Sequence, residues 1–164
     1  MKLSILTNGE TTLSHLSEAY QLLDQNQKKQ LHLTIIDLGN RNIDELKDVE
    51  AQLVGVDFVV FDAHGVRQEV VEWLSGLLGK GTAHIVPLGG NSAEIAPLLR
   101  LGRLTFADLP RQDGHTHAAM SLSLEGMDEG KADYEHYVRF TEYWRGGGTA
   151  NMLGLLCLAG REYG

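Results

Sequence analysis

Two groups of side chains in this chain have the types and spacing that chemistry requires. The first is Asp113-Gly114-His115-Thr116-His117. Alternate residues of an extended segment share one side, and imidazole with carboxylate suits zinc, cobalt or nickel. Asp113, His115 and His117 are therefore candidate metal ligands, with His64 or Asp62 able to complete the set. An exposed polar loop explains the same residues. The second group is Asp62-Ala63-His64-Gly65, which directly follows the apolar run VDFVVF. His64 in that position could bind a metal, donate a hydrogen bond or move a proton near neutral pH.

Other chemistries find little support. Gly-x-Ser-x-Gly is absent, and Ser92 in Gly89-Gly90-Asn91-Ser92 reads as helix-capping chemistry. Neither G-x-G-x-x-G nor a Walker A lysine motif occurs, so no nucleotide is expected on this chain. The single cysteine, Cys157, excludes an intrachain disulfide and a thiolate cluster. Inside LGLLCLAG it reads as a buried small hydrophobe.

The elements that must position these groups follow from the hydrophobic pattern. Short apolar runs at 3–7, 31–38, 56–61 and 83–88 alternate with helical spacing over 13–23, 44–53, 68–78 and 93–101. That alternation predicts an α/β fold, a flavodoxin-like doubly wound parallel sheet of four or five strands with helices on both faces. The run at 56–61 is the most hydrophobic and belongs at the sheet centre. Pro87 moves the fourth run toward an edge or strand end, and 121–124 is a possible short fifth strand. In an open parallel sheet ligands bind outside the carboxyl ends of the strands. The loops there carry Asn8, Asp62, His64, Gly89, Gly90 and Asn91, which are candidate ligand-binding residues. Turn chemistry, which also favours Gly, Asn and Asp, accounts for each loop taken singly.

The 164 residues fit one domain of ordinary globular composition, 43% hydrophobic and 22% charged. A net charge of −8 argues against a nucleic-acid or anionic-membrane partner, both of which require clustered Lys and Arg. No apolar run approaches the roughly 20 residues of a membrane span, and the N-terminal run is too short for a signal peptide. A cytoplasmic protein is the simplest expectation.

The last part of the chain divides from the rest. Residues 1–130 form the expected α/β domain, and 131–164 a C-terminal Gly-linked helix pair that could open a larger region. Tyr134, Tyr137, Val138, Phe140 and Trp144 recur at helical spacing. Arg145 and the triple glycine Gly146-Gly147-Gly148 interrupt the pattern, and a second apolar helix starts with Thr149 as expected N-cap. The order Tyr143, Gly147-Gly148, Asn151 and Leu155-Leu156, together with VPLGGNS after the fourth strand, resembles the N-terminal region of the cobaltochelatase large subunit and the related magnesium chelatase H subunit. The resemblance implies ATP-dependent insertion of a divalent metal, cobalt above all, into a tetrapyrrole in cobalamin biosynthesis. Metal and macrocycle are the substrates, and separate AAA+ ATPase subunits are the partners that hydrolyse ATP. Such large subunits are several times longer than this chain, so it is expected to be an excised domain or a small relative that inserts no metal alone. No catalytic residue carries over. Tyr143, Trp144, Arg145, Gly147, Gly148 and Asn151 are the candidate macrocycle or subunit contacts. Aromatic rings that merely cover the sheet explain them as well. A free-standing flavodoxin-like protein for a small ligand or metal, and a non-catalytic docking domain, are the alternatives.

Overall fold

The computed structural model describes residues 1–39, 41–89, 94–109 and 130–164. The apolar runs become strands β1 (Lys2–Thr7), β2 (His32–Asp37), β3 (Phe58–Asp62) and β4 (His84–Leu88), each parallel to its neighbours among these four. Two short strands, β5 (Arg100–Leu101) and β6 (Leu104–Thr105), add antiparallel pairs, giving a six-stranded mixed sheet of order β2-β1-β3-β4-β5-β6. Every residue of β3 is buried. It lies between β1 and β4 with helices over both faces, which is why its sequence is apolar without alternation.

Register sorts the side chains into two layers. Leu3 pairs with Phe58 and Ile5 with Val60, and all four join one cluster with Leu16 and Ala19 of α1 (Glu10–Leu22), Phe140 of α5 (Lys131–Gly146) and Leu155 and Leu156 of α6 (Gly148–Tyr163). Leu6, Val59 and Phe61 point the other way, onto Val49 of α3 (Lys47–Gln52) and Val70, Val71 and Leu74 of α4 (Gln68–Gly79). The polar stretch after α1 forms a helix of its own, α2 (Gln25–Gln30), because Asp24 and Gln27 close a capping box at its start.

Several expectations need correction. The sheet has six strands rather than four or five and is not purely parallel. Of the helix expected over 93–101, the described residues 94–101 form none: Ala96–Leu98 makes one 3-10 turn around Pro97, and the chain then extends into β5. Proline lacks the N–H that a continuing helix needs, and strand pairing places Leu101 and Leu104 in the core instead. Gly102, at φ +57°, opens the two-residue turn between β5 and β6. The suggested strand at 121–124 lies outside the described residues. Pro87 lies at the strand end, next to the last residue of β4, as expected, although β4 itself is interior rather than an edge. His84 N donates to Asp57 O and Ala63 N to Leu88 O, so the even-numbered residues of β4 face β3. Pro87 faces the opposite way, past the single β5 pair at Ile85, where no N–H is needed.

Gly147 (φ +60°) and Gly148 (φ +76°) separate α5 from α6, as a Gly-linked pair requires. Gly147 takes the N-cap position expected of Thr149. Thr149 Oγ1 donates to Glu18 Oε2 at 2.6 Å, which sets a carboxylate beside the positive end of α6. Among the described residues no helix is long and apolar enough to cross a membrane.

Candidate functional site

The carboxyl ends of β1 and β3 lie side by side, and each ends in a buried polar residue, Thr7 and Asp62. Thr7 Oγ1 donates to Asp62 Oδ2 at 3.2 Å, and the His64 amide donates to Asp62 Oδ1 at 3.0 Å. Asn8 Nδ2 reaches Gly65 O at 2.8 Å, tying the first loop to the third. Gly89, at the end of β4 with φ +68°, presses its backbone on this group: a Cβ there would overlap Asp62 Oδ1 and stand 3.0 Å from Asp62 Cγ. The edge is thus a built constellation, with Asp62 at its centre and the exposed His64 ring on its rim.

Desolvation by burial pushes the Asp62 carboxyl above its ordinary value; the His64 amide, Thr7 and Trp144 pull it back in that order. The folded state therefore holds this proton more tightly than the unfolded chain. Stability is expected to fall as pH rises from about 3.9 through the raised Asp62 value and to level off above it. Urea titrations across that range check the slope, and Asp62→Asn should flatten it. An unchanged slope in the variant would mean that Asp62 is not the group responsible.

The helix-pair residues form a second unit. Asn151 Nδ2 donates to Gly147 O at 2.8 Å, and a Cβ on Gly146 would meet that same amide at 2.6 Å. The Tyr143 ring lies on Gly154, where a Cβ would stand 2.9 Å from its carbons. Tyr134 is buried, and Tyr137, Tyr143 and Trp144 pack against the core; Arg145 alone of the expected contact residues is exposed. Among the described residues no group of three or more His, Cys, Asp or Glu gathers as a metal site. Gly90, Asn91, Asp113, His115 and His117 lie outside the described residues.

Sequence reasoning missed Thr7, whose only signal is a hydroxyl closing an apolar strand. It also missed a cluster at the opposite, amino edge. Tyr163 Oη donates to Asp133 Oδ1 at 2.9 Å and lies 2.9 Å from His136 Nδ1, while Asp133 Oδ2 accepts the Arg103 amide at 2.8 Å. His84 Nδ1 accepts the Gly102 amide at 3.2 Å, so both amides of the β5–β6 turn are held by side chains. A cavity of about 420 Å³ opens beside Tyr163 and His84. No spacing pattern links residues so far apart. Cys157, expected in the core, is half-buried in a groove of about 320 Å³ between α2 and α6, with Gln27 Nε2 3.6 Å from its sulfur. In comparisons with known proteins, the chain matches no protein-family model and no curated protein.

Proposed function

We propose that this chain is a domain of a cobaltochelatase-type large subunit that contributes macrocycle or subunit binding to the insertion of a divalent metal into a tetrapyrrole. The observation that carries this reading is that the residues of the glycine junction form one local unit. Gly147 and Gly148 both take positive φ, and Asn151 Nδ2 holds the Gly147 carbonyl. The strand order 2-1-3-4 supports a flavodoxin-like ancestry for the parallel part, in which the carboxyl edge is the ligand side. Exposed polar groups, His64 on that edge and Arg145 in the last turn of α5, are suited to the carboxylate or amide rim of a macrocycle rather than to its flat face. AAA+ ATPase subunits are the partners this reading requires, in the cytoplasm.

Titration of the chain with hydrogenobyrinic acid diamide and with protoporphyrin, followed in the Soret region, tests the reading. Saturable one-site binding, weakened about tenfold by His64→Ala or Arg145→Ala, is expected. No binding on the order of tens of micromolar removes macrocycle recognition from this domain. The packing of Tyr134, Tyr137 and Tyr143 against the core favours docking of a partner subunit as the second reading, because those rings offer no open apolar platform.

A further inference from the structure

We propose that β2 is a docking edge for a second copy of this chain, the two copies pairing antiparallel through Leu33, Ile35 and Asp37 so that their sheets become one. The pairing does not depend on the macrocycle reading.

The edge is open by construction. Strand order puts β2 at one margin of the sheet. His32 N donates to Met1 O and Leu38 N to Thr7 O, so the even-numbered residues turn their backbone groups toward β1. Successive residues of a strand alternate. The amides and carbonyls of Leu33, Ile35 and Asp37 therefore point outward, and no backbone group among the described residues meets them. The Asp37 carbonyl accepts the Arg41 guanidinium at 2.9 Å, which leaves its second lone pair. Sheet margins are ordinarily blunted by proline, lysine, a bulge or shortness. The opposite margin, β6, is two residues long. In contrast, β2 runs six residues, HLTIID, in unbroken register with β1 and with neither lysine nor proline. Leu33 and Ile35 stay half-buried, whereas their β1 partners Leu3 and Ile5 are fully covered.

Charge complementarity favours a second copy as the occupant. Lys28 and Lys29, in the last turn of α2, stand ahead of the amino end of β2. Asp37, Asp44, Glu45 and Asp48 lie at or after its carboxyl end and outnumber Arg41 and Lys47 there. Arg41 is held on the Asp37 and Glu45 carbonyls, and Lys47 pairs with Asp44. A two-fold axis through Ile35, normal to the sheet, lays the basic end of each β2 on the acidic end of the other, twice over. In that register Ile35 exchanges both backbone bonds with its own copy, and Leu33 of one chain pairs with Asp37 of the other. Every outward amide of the strand then has an acceptor. The two carboxyl edges, each with its Asp62 and His64, open in opposite directions, so each copy keeps its own site.

Sedimentation of the whole chain tests the proposal without any macrocycle, so its failure and that of the binding reading are separable. The mass should rise reversibly from the 18.0 kDa of one chain to twice that value between about 1 and about 100 μM. Over the same range hydrogen exchange of the Leu33, Ile35 and Asp37 amides should slow about tenfold, while Thr34 and Ile36, which face β1, stay unchanged. Two variants test the register. Leu33→Glu sets a carboxylate opposite Asp37 of the other copy and Leu33→Lys sets an ammonium there, while both lose the same leucine. The glutamate variant should dimerise about tenfold more weakly than the lysine variant. The proposal is overturned by a chain that stays monomeric, by a dimer whose outward amides do not slow, or by equal dimerisation of the two variants. Outward amides protected alike at every concentration overturn it too, since the edge is then covered within one chain. Should the variants fold poorly, exchange in the unaltered chain decides the matter alone.

Discussion

Replacing Gly89 by alanine is expected to lower the melting temperature by roughly 6–12 °C, about 3 kcal/mol for a domain of this size. Two costs add. A non-glycine residue in the left-handed region loses about 1–2 kcal/mol. The new Cβ also overlaps Asp62 Oδ1, so the carboxyl must turn and leave the buried Thr7 hydroxyl and the His64 amide without their acceptor. Each unsatisfied buried donor costs about 1–3 kcal/mol, reduced here because His64 lies near water. Gly147→Ala is the internal control. Its φ is similarly positive, but nothing lies within 4 Å of the Cβ position, so only the backbone cost of about 1–2 kcal/mol applies. Thermal melts of the two variants side by side separate the terms. Equal losses would mean that Asp62 does not fill the space behind Gly89.

Tyr163 is the second position where a large effect is expected, and it can be read at alkaline pH. Its hydroxyl donates to Asp133, its ring stands 5.4 Å from Phe58 and 5.2 Å from His84, and Asp133 in turn holds the β5–β6 turn. Truncation to alanine should cost roughly 3 kcal/mol, the low end for an aromatic ring because this one is half-buried. Phenylalanine keeps the ring contacts and leaves the Asp133 carboxylate short of a donor, a loss of about 2 kcal/mol. Burial, and after it the hydrogen bond and charge of Asp133, hold the phenol well above its ordinary value. The unfolded chain therefore releases this proton near pH 10 while the folded chain keeps it, and stability falls as pH rises above about 10. Tyr134 and Tyr137, raised first by burial, add to the same limb. Urea unfolding from pH 8 to 11 should show the decline, and Tyr163→Phe should make it shallower. An identical alkaline slope in the variant would remove Tyr163 from that linkage.

The parts of the fold legible beforehand are those in which local pattern and tertiary environment agree. The run VDFVVF announces a strand covered on both faces, and β3 is that strand. Val70, Val71, Leu74 and Leu78 repeat at helical spacing, and all four are buried. The segment 93–101 misled because Leu98, Leu99 and Leu101 fit a helix face as well as they fit a turn and a strand. Pro97 and the waiting edge at Ile85 decided the matter. Of the site, the loop ends bearing Asn8, Asp62, His64 and Gly89 could be located, since parallel strands bring their carboxyl ends to one edge. That Asp62 would be the buried centre and His64 the exposed rim could not be read, because where β3 ends and the turn begins, between Asp62 and His64, carries no compositional mark.

The sequence by itself determined the alternation of strands and helices, the central strand, the glycine break between the last two helices and the acidic, cysteine-poor character of the chain. These are properties of neighbouring residues, set by periodicity, backbone permissiveness and charge. Only the tertiary structure decided which distant groups meet: Thr7 with Asp62 across 55 positions, Tyr163 with Asp133 across 30, and Thr149 with Glu18 across 131. Such meetings depend on sheet order and helix docking, where burial of many apolar side chains fixes the frame and a few polar groups must find partners within it.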